Sequence, residues 1–403
     1  RARPVGRVVS WLDGRAAPYN EELNAQLGGE WLVEHIGHGS VGLGSGQLCR
    51  LRAEAPDLLR PPAEVGFVGD VVVSRLCGRR AHDATSLSIA LLLNPSLGEA
   101  EPELLARLGV AQEQLPDLLG PRTAAGELLP EVAERTGLPA GIPVSVAVHD
   151  QYAAALGCGA VHPGDVMFGA GTAWVLLAVA EETPGREKPV IPQAFACTHL
   201  VEGLWGQMLS MVNGGSAFRW AVDLLGLAGQ EASAVDDMIG STPPGSGGVR
   251  FRPLLTPGGG TGLESGGRGR LDGLSLSTTR QQVLRAVVEG LGMELRRHVG
   301  LLSDGGLRIG RLIMCGEAAS SRATPPILAE ATGCPLACVT EGAVSALGAA
   351  VLARGLLETE DDLASLAEQM APPVRLCEPG EHVGLYDRMF ERYVQSLPRE
   401  EGA

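Results

Sequence analysis

The spacing of apolar residues along the chain switches between a helical and an extended period, and each switch marks a predicted element. Helical spacing predicts helices from residue 21 and over 55–76, 101–108, 128–136, 151–158, 216–226, 278–302, 325–332 and 343–354. Apolar and β-branched runs predict strands over 143–148, 165–168, 173–179, 307–314 and 336–340. Strands and helices therefore alternate through most of the chain, which indicates an α/β protein.

The sequence changes character at Pro163-Gly164, where an Ala-rich helical pattern gives way to a hairpin pattern. Both halves mix strands and helices, so we predict two domains, 1–162 and 163–403. A glycine-rich stretch at 253–273 predicts a loop that is functional or mobile.

Another glycine-rich stretch, Gly37 to Gly46, contains the pattern Gly-x-Gly-x-x-Gly. A dinucleotide-binding fingerprint needs this pattern directly after a strand. Residues 31–36 are weak as a strand, so a flexible surface or substrate loop explains the glycines better.

The composition excludes several classes of partner and compartment. A net charge of −15 without a basic patch argues against nucleic acid and anionic membranes as partners. No apolar window reaches the ~18 residues of a membrane span, and no signal peptide pattern is present. The eight cysteines include no Cys-x-x-Cys pair, so we expect buried reduced thiols, no cysteine-based metal site and a cytoplasmic location.

Lys188 is the only lysine, and it excludes two classes of enzyme. A P-loop needs Gly-Lys-Ser/Thr, whereas Lys188 lies in Arg-Glu-Lys-Pro. A Schiff-base enzyme needs a buried lysine, whereas this one lies in a polar connection.

Asp150 stands between the predicted strand 143–148 and the predicted helix 151–158, at the expected N-cap. Two interpretations stay open, a structural cap and a catalytic base. The apolar strand would place Asp150 at its carboxyl end, where open α/β folds hold their sites. His149 and Gln151 add hydrogen-bonding groups there, and the helix dipole would keep the carboxylate ionised, as a base requires.

The Gly-Ala-Gly-Thr segment that ends at Thr172 also has two interpretations. Glycines are the ordinary residues of hairpin turns. Free backbone amides beside a Thr hydroxyl also form a nest that binds anions. The turn Cys315–Ala318 after a strand is a second backbone cradle of this kind.

Seven segments in order along the chain resemble motifs of the FGGY carbohydrate kinases, the relatives of xylulokinase and glycerol kinase. They are WLDGRA at 11–16, TGLPAGIPV at 136–144 with HDQYAAALGCGAV at 149–161, GAGTAW at 169–174, NGGSAFRW at 213–220, GLSLSTTRQQVLRAVVEGLGMELR at 273–296, CGEAASS at 315–321 and AVSALGAAVLA at 343–353. The resemblance implies the two-domain actin-like, sugar kinase and heat-shock chaperone fold (RNase H-like), with an interdomain cleft. It also implies ATP and Mg²⁺ as cofactors and allows a homodimer.

The resemblance assigns a role to each motif residue. Asp150 would be the base that takes the proton from the sugar hydroxyl, and the substrate-binding residues would be Trp11, Asp13, His149 and Gln151. The nucleotide-binding residues would be Gly171, Thr172, Gly215, Phe218, Arg219, Gly316, Glu317, Ala318 and Ser321, with Gly171 and Thr172 holding the terminal phosphates and Mg²⁺.

The chain also departs from the family pattern. It contains no Asp-x-Gly-Thr, the family's first phosphate hairpin, and it begins without Met, so we expect an N-terminally truncated chain with little activity of its own. A true loss of the hairpin is the alternative. Cys315 and Glu317 stand where glycines are usual, and Glu317 would either bind ribose hydroxyls or repel phosphate.

We therefore predict ATP-dependent phosphorylation of a small sugar or polyol, with a ketopentose such as xylulose or ribulose favoured. A non-catalytic sugar or nucleotide sensor of the same fold is the alternative. A chaperone-like ATPase would need a peptide-binding domain, whereas the chain after Arg354 has the pattern of a short acidic helical tail.

Overall fold

The computed structural model describes residues 3–11, 13–42, 44–183, 185–256 and 268–397. The chain forms two compact units that are not contiguous in sequence. The first unit comprises Arg1–Val161, Val179–Gln207 and Ser345–Ala371. The second comprises His162–Ala178, Met208–Val344 and Pro372–Ala403.

The helices follow most of the predicted spacings. In chain order they are α1 (Ala17–Leu27), α2 (Gly29–Ile36), α3 (Gly44–Glu54), α4 (Val68–Cys77), α5 (Ala84–Ile89), α6 (Pro102–Leu108), α7 (Pro130–Thr136), α8 (Asp150–Gly157), α9 (Gly215–Leu224), α10 (Ala232–Gly240), α11 (Arg280–Asp304), α12 (Thr324–Thr332), α13 (Val344–Gly355), α14 (Leu363–Met370) and α15 (Val383–Ser396). The prediction over 55–76 is wrong in its first part, because a short 3₁₀ turn at Pro56–Leu58 is followed by irregular chain up to Phe67.

The strands are shorter than predicted in the first unit. In chain order they are β1 (Ala81–His82), β2 (Leu93–Asn94), β3 (Glu99–Ala100), β4 (Asp117–Leu118), β5 (Ala124–Glu127), β6 (Pro143–Ser145), β7 (Asp165–Ala170), β8 (Trp174–Glu181), β9 (Phe195–Thr198), β10 (Leu204–Met211), β11 (Arg250–Arg252), β12 (Arg270–Asp272), β13 (Arg311–Cys315), β14 (Leu336–Val339) and β15 (Val374–Cys377).

The strand predicted at 143–148 is confirmed only as β6. β6 pairs antiparallel with β5, and Ala147 then forms an isolated parallel bridge to His82 in β1. β1 pairs in parallel with β4, and β2 pairs antiparallel with β3. The extended segment before Asp150 therefore runs into a small patch of paired backbone rather than through a long buried strand.

A seven-stranded sheet in the order β15-β14-β13-β7-β8-β10-β9 forms the largest β-structure of the described residues. β13 lies between β7 and β14 and is parallel to both, while β7 and β8 form the predicted antiparallel hairpin. β15 pairs antiparallel with β14 at one edge. The prediction of a purely helical tail after Arg354 is therefore wrong, because the residues of β15 complete the sheet.

The long helix α11 begins at a capping box and is buried through most of its middle. The Thr279 hydroxyl accepts a hydrogen bond from the Gln282 amide at 3.3 Å, and the Gln282 side chain accepts one from the Thr279 amide at 2.9 Å. This pair satisfies two amides that the first turn leaves without intrahelical partners, which explains why the helix starts there.

The Gly37–Gly46 segment is not the flexible surface loop that the glycines suggested. The Gly39 amide donates to the Pro192 carbonyl at 2.6 Å, and the Ala196 amide donates to the Gly37 carbonyl at 3.0 Å. A Cβ atom on Gly37 would lie 2.9 Å from the Ala196 oxygen, and one on Gly39 would lie 2.6 Å from Pro192 Cβ. These glycines therefore permit close backbone packing.

Most of the loop predicted at 253–273 lies outside the described residues, and its end forms β12. All eight cysteines are free, and five of them are buried, as expected for reduced thiols. Among the described residues no helix combines the length and hydropathy that a membrane crossing requires.

Replacing Gly348 by Ala should destabilise the first unit. A Cβ atom at this position of α13 would collide with the carbonyl oxygen of Ala153 in α8. Overpacking of this kind costs about 1–3 kcal/mol. Gly300→Ala is the matched control, because a Cβ atom there meets no heavy atom within 4 Å and should stabilise helix α11 by up to about 1 kcal/mol. Denaturant unfolding measures both, and equal stabilities would contradict the predicted collision.

Candidate active site

The N-terminus of α8 carries three of the predicted site residues. His149 is the N-cap residue, and its Nδ1 accepts a hydrogen bond from the Gln151 amide at 3.3 Å. Asp150 is the first residue inside the helix, so its predicted N-cap position is wrong by one residue. His149 performs the capping that the sequence attributed to Asp150, and the Asp150 carboxylate remains available for other contacts.

The Asp150 side chain is 70% exposed, and its Oδ1 lies 3.4 Å from Nε2 of His149. Burial lowers the pKa of His149, although the neighbouring Asp150 carboxylate opposes that shift. A neutral imidazole whose Nδ1 accepts a hydrogen bond carries its proton on Nε2. The Nε2–H group of His149 therefore faces the Asp150 carboxylate. It restrains that carboxylate as a neutral donor rather than as a cation.

A buried network that the sequence analysis missed lies behind His149. The Thr85 hydroxyl donates to Asp83 Oδ1 at 2.6 Å and accepts from the His149 amide at 3.0 Å. The Asp83 amide donates to the Ala147 carbonyl at 2.9 Å. Burial raises the pKa of Asp83 to about 6. The sequence signal was Asp-Ala-Thr-Ser at the start of α5, which looks like an ordinary helix cap.

Trp11 and Asp13 lie just before the first helical turn of the first unit. The Asp13 carboxylate accepts hydrogen bonds from Arg15, with Nε at 2.9 Å, and these bonds hold the pKa of Asp13 well below its usual range. Trp11 is 70% exposed. Within the described residues no hydrogen bond or ion pair joins Asp13 to Asp150.

The hairpin between β7 and β8 is joined to the start of α9 by backbone hydrogen bonds. The carbonyls of Gly171 and Thr172 accept from the amides of Gly215 and Ser216 at 3.0 and 2.9 Å. In a trans peptide the N–H group points opposite to its carbonyl. The amides of Thr172 and Ala173, which share these two peptides, therefore point away from α9, as a backbone anion site requires.

Glycine is required where the predicted nucleotide segments meet in the second unit. A Cβ atom on Gly215 would collide with the carbonyl oxygen of Gly171. Gly316 has a φ of +96°, and a Cβ atom there would lie 2.9 Å from the carbonyl oxygen of Ala170. The structure thus brings Gly171, Thr172, Gly215 and Gly316 together around the tip of one hairpin.

The residues after Gly316 form a short exposed turn before α12. Glu317 is exposed and Ala318 is half-buried. The Ser321 hydroxyl donates to Asp236 at 2.7 Å and accepts from the Thr324 amide at 2.9 Å, so it organises the turn. Beside it lies an open cavity of about 330 Å³ that is lined by Asp236, Asp237, Gly240, Ser241, Arg322 and Ala323.

Phe218 and Arg219 take different environments on α9. Phe218 packs against the buried cluster that contains Leu227 and Val235, and Arg219 is exposed. The described residues contain no group of three or more His, Cys, Asp or Glu side chains placed to hold a metal ion.

Comparison with known proteins places this fold among phosphotransferases of the two-domain actin-like class. The xylulose kinase from Rhodospirillum rubrum superimposes with a TM-score of 0.83 at 26% identity, over 95% of this chain and 77% of that one. The chain belongs to the FGGY family of carbohydrate kinases. Residues 1–157 match the model of the family's N-terminal domain, and residues 166–354 match that of its C-terminal domain.

Two relatives show the range of the family. The xylulose kinase of Escherichia coli (strain K12) is 27% identical over 405 residues, which are 99% of this chain and 79% of that protein. A glycerol kinase of Alkalilimnicola ehrlichii is 27% identical over 378 residues, which are 87% of this chain and 71% of that protein. Kinases of this family use ATP as the phosphate donor.

Asp83→Asn tests the buried network through its pH dependence. Burial raises the pKa of Asp83 from 3.8 to about 6, so the folded protein holds this proton more tightly than the unfolded chain. The stability that Asp83 contributes is fully present below about pH 4 and is lost as the pH rises through about 6.

The free energy of unfolding of Asp83→Asn minus that of the wild type should therefore rise by about 2.4 kcal/mol between pH 4 and pH 7. Urea unfolding at a series of pH values measures this difference. A difference that stays flat between pH 4 and pH 7 would mean that the carboxyl of Asp83 titrates normally.

Proposed function

We propose that the protein transfers the γ-phosphoryl group of ATP to a hydroxyl of a small sugar or polyol, with a ketopentose such as xylulose or ribulose favoured and Asp150 as the general base. One observation carries the proposal. The Asp150 carboxylate is 70% exposed at a helix N-terminus whose capping role is already filled by His149. A carboxylate with no structural duty at such a position is suited to accept a proton.

In the proposed reaction Asp150 takes the proton of the substrate hydroxyl while that oxygen attacks the γ-phosphorus. The new O–P bond forms as the bond from the γ-phosphorus to the β–γ bridging oxygen breaks, and ADP leaves with that electron pair. His149 would position the carboxylate through its Nε2–H group. Gln151, Trp11 and Asp13 would bind further hydroxyls of the substrate or cover it.

The hairpin tip would hold the terminal phosphates of ATP. The outward amides of Thr172 and Ala173, the exposed Thr172 hydroxyl and the absence of a Cβ atom at Gly171 suit a bound anion. Mg²⁺ would be held through the phosphate oxygens with Thr172 and would neutralise charge on the transferred group.

The other end of the nucleotide would lie along the turn after Gly316. The exposed Glu317 carboxylate can accept hydrogen bonds from ribose hydroxyls, while Gly316 and Ala318 leave room for the α-phosphate and ribose. Ser321 would act through the turn that it organises with Asp236. Gly215 and Arg219 on α9 would border the phosphates, and Phe218 would support them from the core.

The substrate preference rests on similarity and needs a direct test. The xylulose kinase and the glycerol kinase relatives are both 27% identical to this chain, so identity alone does not separate a ketopentose from a triol. ADP release with xylulose, ribulose and glycerol, measured under the same conditions, ranks these candidates. A preference for glycerol would overturn the ketopentose assignment and leave the phosphotransfer chemistry intact.

Asp150→Asn should lower kcat for sugar-dependent ADP release by at least about 100-fold, because the amide cannot accept the proton. The assay uses the protein expressed from its complete reading frame. Substrate affinity should change little, since Asn keeps the shape and hydrogen-bonding capacity of the side chain. Asp57→Asn, which removes an exposed carboxylate elsewhere in the first unit, is the control and should retain full activity.

A non-catalytic sensor makes a different prediction for the same protein. Calorimetry would then record sugar or nucleotide binding while ADP release stays at background in both wild type and Asp150→Asn. Turnover by the wild type that survives the Asp150→Asn substitution would instead remove Asp150 as the base.

A further inference from the structure

A cavity of about 200 Å³ in the second unit shares no lining residue with the proposed active site. It lies between the β11–β12 ribbon and helices α11 and α15. Its polar lining includes four arginines, Arg250, Arg252, Arg270 and Arg392, and its apolar lining includes Met293 and Met389. We call it the arginine pocket. Four cations around one cavity are unusual in a chain whose net charge is −15.

The ribbon directs its arginines to one face. Arg250 and Arg252 are two residues apart on β11, and Arg270 is the direct cross-strand partner of Arg252. Residues two apart on a strand and residues directly paired across strands share a face. Two guanidinium groups are therefore opposed on neighbouring strands, a placement that is destabilising unless an anion lies near them. Asp272, the cross-strand partner of Arg250, supplies one carboxylate on this face for three arginines.

The carboxylates of the pocket neutralise only part of this charge. Asp272 pairs with Arg270 at 2.7 Å. Glu289 is buried and bound to Arg285 at 2.9 Å and to the Tyr386 hydroxyl at 3.1 Å. In the part of the chain that the structure describes, the side chains of Arg250 and Arg392 form no ion pair and no hydrogen bond.

Arg252 is held in place by backbone rather than by a carboxylate. Its guanidinium donates to the Arg268 carbonyl at 3.0 Å and to the carbonyl of Ser396 at the end of α15. These carbonyls orient the group but leave its full positive charge in the pocket. The pocket therefore contains one fixed cation, Arg252, and two arginines without an ion pair among the described residues, Arg250 and Arg392. Met293 and Met389 form the apolar floor of the pocket.

We propose that the arginine pocket binds a small organic phosphate, a phosphate monoester whose body contacts Met293 and Met389. A phosphate dianion matches two unpaired guanidinium groups in charge, and planar guanidinium groups bind phosphate oxygens in pairs. The apolar floor favours an ester over bare phosphate, because it gives the organic part a surface to cover. This proposal does not rest on the kinase reaction.

Calorimetry with ribose 5-phosphate, inorganic phosphate and ribose tests the proposal on the wild-type protein. AMP-PNP is present throughout to occupy the proposed nucleotide and phosphoryl positions. We expect ribose 5-phosphate to bind more tightly than inorganic phosphate, and any binding of ribose to be unaffected by the arginine variants described next. Equal affinities for ribose 5-phosphate and inorganic phosphate would overturn the assignment of an ester.

Arg250→Gln and Arg392→Gln should each weaken ribose 5-phosphate binding by about tenfold or more, as expected for losing one charged hydrogen bond. Arg388→Gln is the matched control, because Arg388 is an exposed arginine of the same helix α15 that does not line the pocket. An unchanged melting temperature shows that each variant is folded. Affinity that is retained in both pocket variants, or reduced equally in Arg388→Gln, would overturn the proposal.

Discussion

The geometry of the β7–β8 hairpin tip depends on two backbone hydrogen bonds, from the amides of Gly215 and Ser216 to the carbonyls of Gly171 and Thr172. They fix the rotation of both peptides in the hairpin tip and so decide which way the next amides point. The contact is possible only because Gly215 has no side chain. The anion site that we propose would thereby consist of peptide groups whose position is set by the sheet and by α9, rather than of charged side chains.

In the first unit, the residues that stabilise the start of α8 differ from the residue that is proposed to react. Asp83 is buried, takes part in a hydrogen-bond chain through Thr85 and reaches the backbone of His149. His149 caps α8, and Asp150 remains exposed. The buried Asp83 thus helps to hold the start of α8 in place through Thr85. The Asp150 carboxylate, which would accept the proton, stays in contact with solvent. His149 is the N-cap residue and Asp150 is the first helical residue, so two adjacent residues divide the capping role from the proposed proton transfer.

The sequence predicted the elements whose determinants lie within one short segment of the chain. The β7–β8 hairpin and α11 were readable because alternation, a glycine turn and a capping box lie within the segments themselves. The Gly37–Gly46 segment was misread because its partners Pro192 and Ala196 are remote in sequence. β15 was missed because an exposed edge strand lacks a continuous apolar run. Asp83 escaped notice because burial, which raises its pKa, is a property of the folded chain alone.

The helix that carries Asp150 is completed by residues that the chain supplies much later. The Ser345 hydroxyl donates to the Asp150 carbonyl at 3.2 Å, and α13 packs closely on α8 through Gly348. During synthesis, α8 emerges from the ribosome well before α13 exists, so its neighbours are absent while the intervening segments are made. The first unit cannot reach its final packing until residues 345–371 have left the ribosome. Because the unit consists of three separate segments, no single contiguous segment of the gene encodes it alone.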